Sequence, residues 1–388
     1  MNFSISSFSH SHEAKEIDSQ IQPEIAYLCL QATREGQASY AHVHEIIQGL
    51  NRRGWQITLY EPQYGLSRKP ARPINRILKF ASTQLKMWSS NKFNIVYIRW
   101  HFAAFPTAFL AQICNIPVIQ EINGPYEDLF IAWPFTRKLA WFFKLLLRPQ
   151  LRWANAIITV TPELAKWVFL ESGNSKSFVI PNGVNAELFR PDAQPVIPVP
   201  DSFVVFFGAL APWQGVETML DAIGAPEWPK GVKLVIIGDG AERSKVEFAA
   251  SKGLVLYIEK VPYVHMPGIV AKSLAGLSIK GSILGKLRTG LYPLKLFETL
   301  GCGVPVIVTD FPGQADLVRK GECGLVIPPE DSKKLAQAVA YLHSHPEQRK
   351  EMGRRGRILM ESEHSWDKRA EQTDLVIRRV LMSDQYRR

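Results

Sequence analysis

A lysine and a glutamate three residues apart, Lys295 and Glu298, are the pair of side chains in this sequence best suited to chemistry. They follow Pro293 at the start of a predicted helix, where residues three apart lie on one face. The amide groups at a helix N-terminus favour an anion, a lysine adds positive charge, and a carboxylate accepts hydrogen bonds from hydroxyl groups. The pair indicates a ligand with both phosphate and hydroxyl groups, although an ordinary helix–strand turn would show the same pattern.

Two glycine-containing loops precede this helix in the sequence. One runs from Gly208 to Gln214, the other contains Gly238, Asp239 and Gly240, and each follows an apolar run predicted as a strand. Glycine lets the backbone approach a phosphate or a ribose, so two such loops form a better nucleotide cradle than one. A complete dinucleotide fingerprint is missing, which makes a nicotinamide-dependent oxidoreductase a remote alternative.

Strand and helix patterns alternate along both halves of the chain, as in parallel sheets covered by helices. The alternation runs from residue 24 to 180 and restarts at 203, and residues 190–200 between them contain four prolines. Such a segment is typical of a stiff linker. The predicted fold is α/β, with two Rossmann-like, doubly wound domains facing across a cleft, where the carboxyl ends of the strands bind ligands.

Composition fits two globular domains and a cytoplasmic location. The chain has 388 residues, 46% of them hydrophobic. Its cysteines, Cys29, Cys114, Cys302 and Cys323, are scattered without a CxxC pair, which favours reduced thiols and argues against a disulfide framework or a zinc site. Residues 1–21 are polar and predict a disordered tail rather than a signal peptide, and no apolar run is long enough to span a membrane.

Positive charge is concentrated in one part of the chain. Residues 62–155 contain 13 lysines and arginines against three acids, a surplus equal to the net charge of +10 of the whole chain. Within this part, residues 133–153 mix basic side chains with Trp, Phe and Leu, which predicts a helix from about Phe135 to Arg148, ended by Pro149. The mixture is typical of an interfacial helix on an anionic membrane, but a helix packing its apolar face inward would look the same. No nucleic-acid-binding motif accompanies the charge.

Five short motifs resemble, in their order and spacing, those of family 4 glycosyltransferases with the GT-B fold. The likeness runs from about residue 22 to the end of the chain. It implies a retaining, metal-independent hexosyltransferase without a cofactor, which moves a sugar from a nucleotide-diphosphate sugar to a hydroxyl acceptor. The motifs are Glu-Gly…His-Val at 35–43, Pro-Asn-Gly-Val at 181–184, Trp-Gln-Gly at 213–215, Gly-Asp-Gly at 238–240 and Pro-Leu-Lys-Leu-Phe-Glu at 293–298.

The resemblance also implies that one domain binds the acceptor and the other binds the donor. Residues 22–187 would form the acceptor domain, completed by a helix near 367–388, residues 188–201 the linker, and residues 202–366 the donor domain. Glu298 would hold the donor ribose, and Lys295 matches a subgroup with a Pro-x-Lys-x-x-Glu motif. Arg288, Lys295 and Glu298 are the expected catalytic residues, and the acceptor-side candidates are His101, Glu121 and Asn123. The other expected donor contacts are Gly36, Gly208, Gln214, Gly238, Asp239, Gly240, Val261 and Tyr263.

Several positions depart from the family pattern. The first of two paired glutamates is replaced by Gly290, and the phosphate-binding Arg and Lys near the second-domain glycine loop are replaced by Ala209 and Gln214. A histidine often found after the fourth strand is Asn123 here. A degenerate, non-catalytic GT-B protein that binds nucleotide or a partner is therefore the alternative function. Cations still available near the donor loops are Lys280, Lys286, Arg288 and Lys295.

Together these observations predict an enzyme of polysaccharide or glycolipid biosynthesis. Its expected partners are a nucleotide sugar, a glycan or lipid-linked acceptor, and an anionic membrane surface on the inner face of the plasma membrane. Nucleic acid and metal ions are not expected.

Overall fold

A computed structural model describes residues 23–31, 33, 38–64, 73–90, 92–132, 134–281 and 289–385. The described residues form two parallel six-stranded sheets flanked by helices, which confirms the predicted α/β fold class. The predicted tail over 1–21 and the candidate residues Gly36, Lys286 and Arg288 lie outside the described residues.

The first lobe contains a sheet with strand order β2-β1-β3-β4-β5-β6. Its register sets Tyr27 beside Tyr97, and the two rings stack with their centroids 4.6 Å apart. The elements are β1 Glu24–Cys29, α1 Ala38–Arg52, β2 Gln56–Tyr60, α2 Pro73–Ser90, β3 Ile95–Arg99, α3 Phe105–Ile113, β4 Val118–Ile122, α4 Glu127–Ala132, α5 Ala140–Trp153, β5 Ala156–Thr159, α6 Pro162–Ser172 and β6 Ser177–Val179.

The second lobe contains a sheet with strand order β12-β11-β10-β7-β8-β9. The apolar run Phe203–Phe207 is buried at every position, as a central strand covered on both faces requires. The elements are β7 Phe203–Phe207, α7 Val216–Gly224, β8 Lys233–Ile237, α8 Arg243–Ser251, β9 Val255–Ile258, α9 Met266–Lys272, β10 Ala275–Ser278, α10 Leu294–Gly301, β11 Val306–Thr309, α11 Gln314–Gly321, β12 Gly324–Ile327, α12 Ser332–Ser344, α13 Pro346–Glu363 and α14 Trp366–Gln385.

The order of the second sheet reverses between β7 and β10. The chain proceeds from β7 outward to β8 and β9 on one side, and from β10 outward to β11 and β12 on the other. The connections after β7 and β10 therefore diverge and leave a crevice at the carboxyl ends of these two strands. Open α/β sheets bind ligands at such a point.

The last helix, α14, packs on the first lobe. Its residues Trp366 and Ile377 belong to the same buried cluster as Val43 of α1. Gly49 of α1 faces Ala370 of α14, and a Cβ at position 49 would overlap the Ala370 side chain. The chain thus crosses from the second lobe back to the first.

The basic, aromatic segment differs from its prediction at both ends. Residues Pro134–Leu139 form a 3₁₀ turn, and α5 starts at Ala140 and continues through Pro149 to Trp153. A proline inside a helix costs about 3 kcal/mol, but Leu147 and Leu151 on either side of it are buried. Their packing outweighs the lost backbone hydrogen bond, so the helix does not end at Arg148.

Candidate active site

A cavity of about 270 Å³ lies between the two lobes. His42, Arg99 and Asn123 line it from the first lobe, and Trp213 and Lys280 line it from the second. Basic side chains therefore face the cavity from both walls, which suits an anionic ligand.

The glycine loops of the second lobe lie in direct contact. Gly208 has φ of 126° and Gly238 has φ of 147°, and a Cβ on Gly238 would overlap the Gly208 carbonyl oxygen. Only glycine combines this backbone conformation with so close an approach. Gly240 approaches the Leu210 carbonyl in the same way, and the exposed Asp239 accepts a hydrogen bond from the Gly240 amide at 2.8 Å. The predicted donor loops thus form one continuous surface.

Two buried lysines converge on the amide oxygen of Gln214. Lys280 Nζ donates to Gln214 Oε1, and Lys295 Nζ lies 3.3 Å from the same atom. Lys295 Nζ also lies 3.6 Å above the centroid of the Phe206 ring, beside Gly208. Burial, reinforced by the charge of Lys280, lowers the pKa of Lys295 well below its usual value. An anion placed between these amines would stabilise both of their charges.

Glu298 is buried one helical turn after Lys295. Its Oε1 accepts a hydrogen bond from Tyr263 at 2.9 Å. Burial raises the pKa of Glu298 to about 7, although Tyr263 and Lys295 act in the opposite direction. Tyr263 packs against Phe189, and Val261 is half-buried against the same core. The structure therefore brings Tyr263, Lys295 and Glu298 together as predicted neighbours.

Glu121, predicted on the acceptor side, is a buried anion surrounded by donors. Tyr27 and Tyr97 donate to its Oε2 at 3.0 and 2.9 Å, and Arg99 Nη1 and His42 Nε2 lie 2.5 and 3.0 Å from its Oε1. Burial alone would raise its pKa, but the charges of His42 and Arg99 hold it well below the usual range. A carboxylate this strongly bound orients its neighbours rather than accepting a proton from a substrate.

The side chains that Glu121 orients do line the cavity. Asn123 Nδ2 donates to Glu121 at 2.7 Å, which fixes the amide at the cavity wall. His42 Nδ1 lies 2.8 Å from Asn182 Oδ1, and Asn182 Nδ2 donates to the Tyr292 carbonyl of the second lobe at 2.6 Å. This chain of contacts joins the lobes across the cleft. In the sequence the Asn-Gly pair at 182–183 stood out only as part of a motif, and His42 had no predicted role.

His101 is not among the residues that line this cavity. Its Nδ1 accepts a hydrogen bond from the Ala103 amide at 3.2 Å and caps the 3₁₀ turn Phe102–Ala104. Burial, with a contribution from Arg76, lowers its pKa to about 4. The imidazole is therefore a neutral cap of this turn, and its acceptor-side role stays a prediction.

Gly290, at the position of the missing family glutamate, leaves little space for a side chain. Its φ is 64°, and a Cβ there would lie 3.0 Å from Glu163 Oε2 and 3.1 Å from the Pro312 carbonyl. The backbone conformation at position 290 thus favours glycine, so the missing glutamate reflects a different backbone and not only a different side chain.

Two Rossmann-like lobes with a cationic cleft at the carboxyl ends of their strands define the GT-B class of fold. Two family models match successive parts of the chain: Glycosyltransferase Family 4 matches residues 41–188, and Glycosyl transferases group 1 matches residues 190–358. The chain is therefore a homologue of glycosyltransferases, one model matching each lobe, which confirms the predicted resemblance at this level.

Individual relatives agree with this assignment. The phosphatidyl-myo-inositol mannosyltransferase of Mycobacterium leprae is 30% identical over 205 residues, which are 52% of this chain and 53% of that protein. Sucrose-phosphate synthase of Thermosynechococcus elongatus has a TM-score of 0.74 at 17% identity, covering 93% of this chain and 100% of the other. HepE of Anabaena, in complex with UDP and glucose, has a TM-score of 0.68 at 14% identity, covering 92% and 99%.

The sequence matches are partial. Three curated relatives, each 30% identical to this chain, are matched over 19%, 53% and 39% of their own lengths. The solved structures, at their low identities, show the fold alone.

Proposed function

We propose that this protein transfers a sugar, with retention of configuration, from a nucleotide-diphosphate sugar to a hydroxyl group of a glycan or a lipid-linked acceptor. The observation that carries the proposal is the convergence of Lys280, Lys295 and the Gly208 loop at the reversal point of the second sheet. Buried cations beside a flexible glycine backbone suit a diphosphate. The nucleotide-bound state of HepE and the mannosyltransferase relative support this choice of substrate class.

In this proposal Glu298 and the lysines bind different parts of the donor. Glu298 accepts hydrogen bonds from ribose hydroxyls, because its second carboxylate oxygen is not needed for the contact with Tyr263. Lys295 and Lys280 take the phosphates. The acceptor enters from the first lobe, where Asn123, Arg99 and His42 face the cavity.

The chemistry proposed for this site requires no protein nucleophile. The bond between the sugar's anomeric carbon and the phosphate oxygen breaks, and the acceptor oxygen attacks from the same face. The acceptor's proton passes to the departing phosphate, so atoms and charges balance. Negative charge grows on the diphosphate as it leaves, and the two lysines stabilise it there, which lowers the barrier. We propose that these cations do so without a metal ion.

A panel of donors tests the proposed activity. The protein is incubated with UDP-, GDP- and ADP-sugars, and release of the nucleoside diphosphate is measured with and without simple glycan acceptors. Release from one class of donor, abolished in Lys295→Met, is the expected result. Tight nucleotide binding with no release from any donor would contradict the enzyme and favour the binding-only alternative.

We also propose that the first lobe binds an anionic membrane surface. Trp141 on α5 is 66% exposed, and Leu145 lies exposed one turn later. Both α5 and α2 lie in the part of the chain with a net charge of +10. Exposed apolar side chains among basic ones are typical of a peripheral membrane surface. No helix in the described ranges is long and apolar enough to cross a membrane. Exposed apolar residues of α2 are Ile74, Ile77, Leu78 and Leu85.

Co-sedimentation with lipid vesicles tests the membrane proposal. The protein should sediment with vesicles containing phosphatidylglycerol and much less with phosphatidylcholine alone. The double variant Trp141→Glu, Leu145→Glu should lose this binding. Phe248→Glu is the matched control, because Phe248 is equally exposed but lies on the second lobe. Equal sedimentation with both kinds of vesicle would remove the proposal.

A further inference from the structure

A carboxylate of the first lobe reaches the second lobe beside Gly290. Glu163 lies in the first turn of α6, and its Oε2 is 3.0 Å from the point where a Cβ on Gly290 would stand. A glutamate carries its own carboxylate oxygens about 3–4 Å from its Cβ. The Glu163 oxygen therefore lies about as far from that point as the oxygens of a glutamate at position 290 would.

The start of α6 is fixed against the second lobe. Thr161, the residue that caps α6, donates from its Oγ1 to the Thr289 carbonyl and accepts from the Leu164 amide. The cap thereby ties the helix to the residue that precedes Gly290. Because Glu163 lies two residues after the cap, the same contact holds it near Gly290.

The Glu163 side chain leaves one oxygen available for a ligand. Its Oε2 is buried and has no hydrogen-bond partner within the described part of the chain. Burial, reinforced by the charge of Glu163, raises the pKa of Tyr292, so the carboxylate lies close enough to act on that residue. A buried carboxylate oxygen without a donor is costly, and sugar hydroxyl groups are donors that suit it.

Glu163 adjoins the cavity between the lobes. Gly290 and Tyr292 line this cavity from the second lobe, and Val160, three residues before Glu163, lines it from the first. In the proposed function the second lobe holds the donor phosphates and the acceptor enters from the first, so the transferred sugar must lie between them. Glu163 as a whole is only half-buried. Rotation about its side-chain bonds can therefore bring the carboxylate to the cavity.

From this arrangement we propose that Glu163 binds hydroxyl groups of the transferred sugar. It thereby supplies, from the first lobe, the carboxylate that is missing at position 290. Because Glu163 contacts the sugar and not the nucleotide, it selects among donors by their sugar. The inference rests on the proposed function, and it adds a sugar-binding residue on the lobe that otherwise receives the acceptor.

Calorimetric titration with two matched ligands tests this role. The UDP-, GDP- or ADP-sugar that the wild type binds most tightly and the corresponding nucleoside diphosphate are titrated into each protein without an acceptor. Glu163→Gln should weaken binding of the nucleotide sugar by about 10-fold, because an amide replaces a charged acceptor. Binding of the nucleoside diphosphate should change by less than about 3-fold, because this ligand lacks the transferred sugar. Glu187→Gln, which also removes one negative charge but at an exposed position, is the matched control and should bind both ligands as the wild type does.

Moving the carboxylate to position 290 gives a second test. Removing the Glu163 carboxylate vacates the nearest of the atoms that a Cβ on Gly290 would meet. Glu163→Ala should weaken binding of the nucleotide sugar by about 10- to 100-fold. The double variant Glu163→Ala, Gly290→Glu should recover most of this loss, and its binding of the nucleoside diphosphate reports that it is folded.

The outcomes distinguish the inference from the proposed function. If the wild type binds a nucleotide sugar and Glu163→Gln binds it equally well, the role of Glu163 is wrong and the proposed function stands. Equal losses for the nucleotide sugar and the nucleoside diphosphate would show a structural role and would also overturn the inference. So would a double variant that binds the diphosphate normally and the nucleotide sugar no better than Glu163→Ala does. If the wild type binds neither ligand, both the inference and the proposed function fail.

Discussion

Replacing Glu298 by glutamine should make the protein more stable at alkaline pH. The pKa of this carboxyl group rises from its ordinary 4.5 to about 7 in the fold. One unit of pKa corresponds to about 1.4 kcal/mol, so keeping Glu298 ionised inside the protein costs roughly 3 kcal/mol. Between these two pH values the folded state holds a proton that the unfolded state has released. The free energy of unfolding of the wild type therefore falls as pH rises from about 4.5 to about 7 through this group.

A glutamine at this position cannot ionise, and its amide oxygen can still accept the hydrogen bond from Tyr263. Relative to the wild type, Glu298→Gln should therefore gain stability on going from about pH 5 to about pH 8, by roughly 2–3 kcal/mol. The same variant should bind the nucleotide-sugar donor more weakly, because an amide is a poorer partner for ribose hydroxyl groups. Stability and binding thus move in opposite directions at one residue.

Urea-induced unfolding of both proteins at the two pH values measures the effect. Glu187→Gln, at an exposed position, controls for a general change in net charge. The comparison is repeated in a Lys295→Met background, because the neighbouring amine also has a shifted pKa. If the stability difference between variant and wild type is the same at both pH values, the reasoning from burial of Glu298 is refuted.

Two further substitutions test the packing around the cleft. Gly290→Ala should lower the free energy of unfolding by about 1–3 kcal/mol more than Gly231→Ala does. Both glycines have positive φ, but of the two only position 290 would bring the new Cβ against other atoms. Equal losses of stability in urea unfolding would contradict this prediction. Asn182→Ala removes the contacts to His42 and Tyr292 and should lower the free energy of unfolding by about 1–3 kcal/mol. An unchanged melting temperature would mean that these contacts between the lobes do not stabilise the protein.

Much of the fold was predictable because each strand and helix leaves a local pattern. The run Phe203–Phe207 is apolar at every position and is buried at every position. The helix through Pro149 was not predictable in the same way. Its continuation depends on the burial of Leu147 and Leu151 against other elements, which the local sequence does not contain.

In the candidate site, too, contacts within one helix were predictable from the sequence and contacts between distant segments were not. Lys295 and Glu298 lie three residues apart on one helix, so their proximity follows from helical geometry. The contact of Gln214 with Lys280 joins residues 66 apart, and that of Asn182 with Tyr292 joins residues 110 apart. Such pairs depend on the order of strands in the sheet and on how the lobes meet. Glu121 could be recognised as a carboxylate near the cleft, but its five donors come from four separate segments and appear only in three dimensions.

A crystal structure of the protein with the nucleoside diphosphate that it binds most tightly tests the proposed donor site most directly. We expect the phosphates in the crevice beyond β7 and β10, with their oxygens in hydrogen-bond contact with Lys280 and Lys295 and the ribose hydroxyls bound to Glu298. A nucleotide bound at another surface, or phosphates that contact neither lysine, would contradict it.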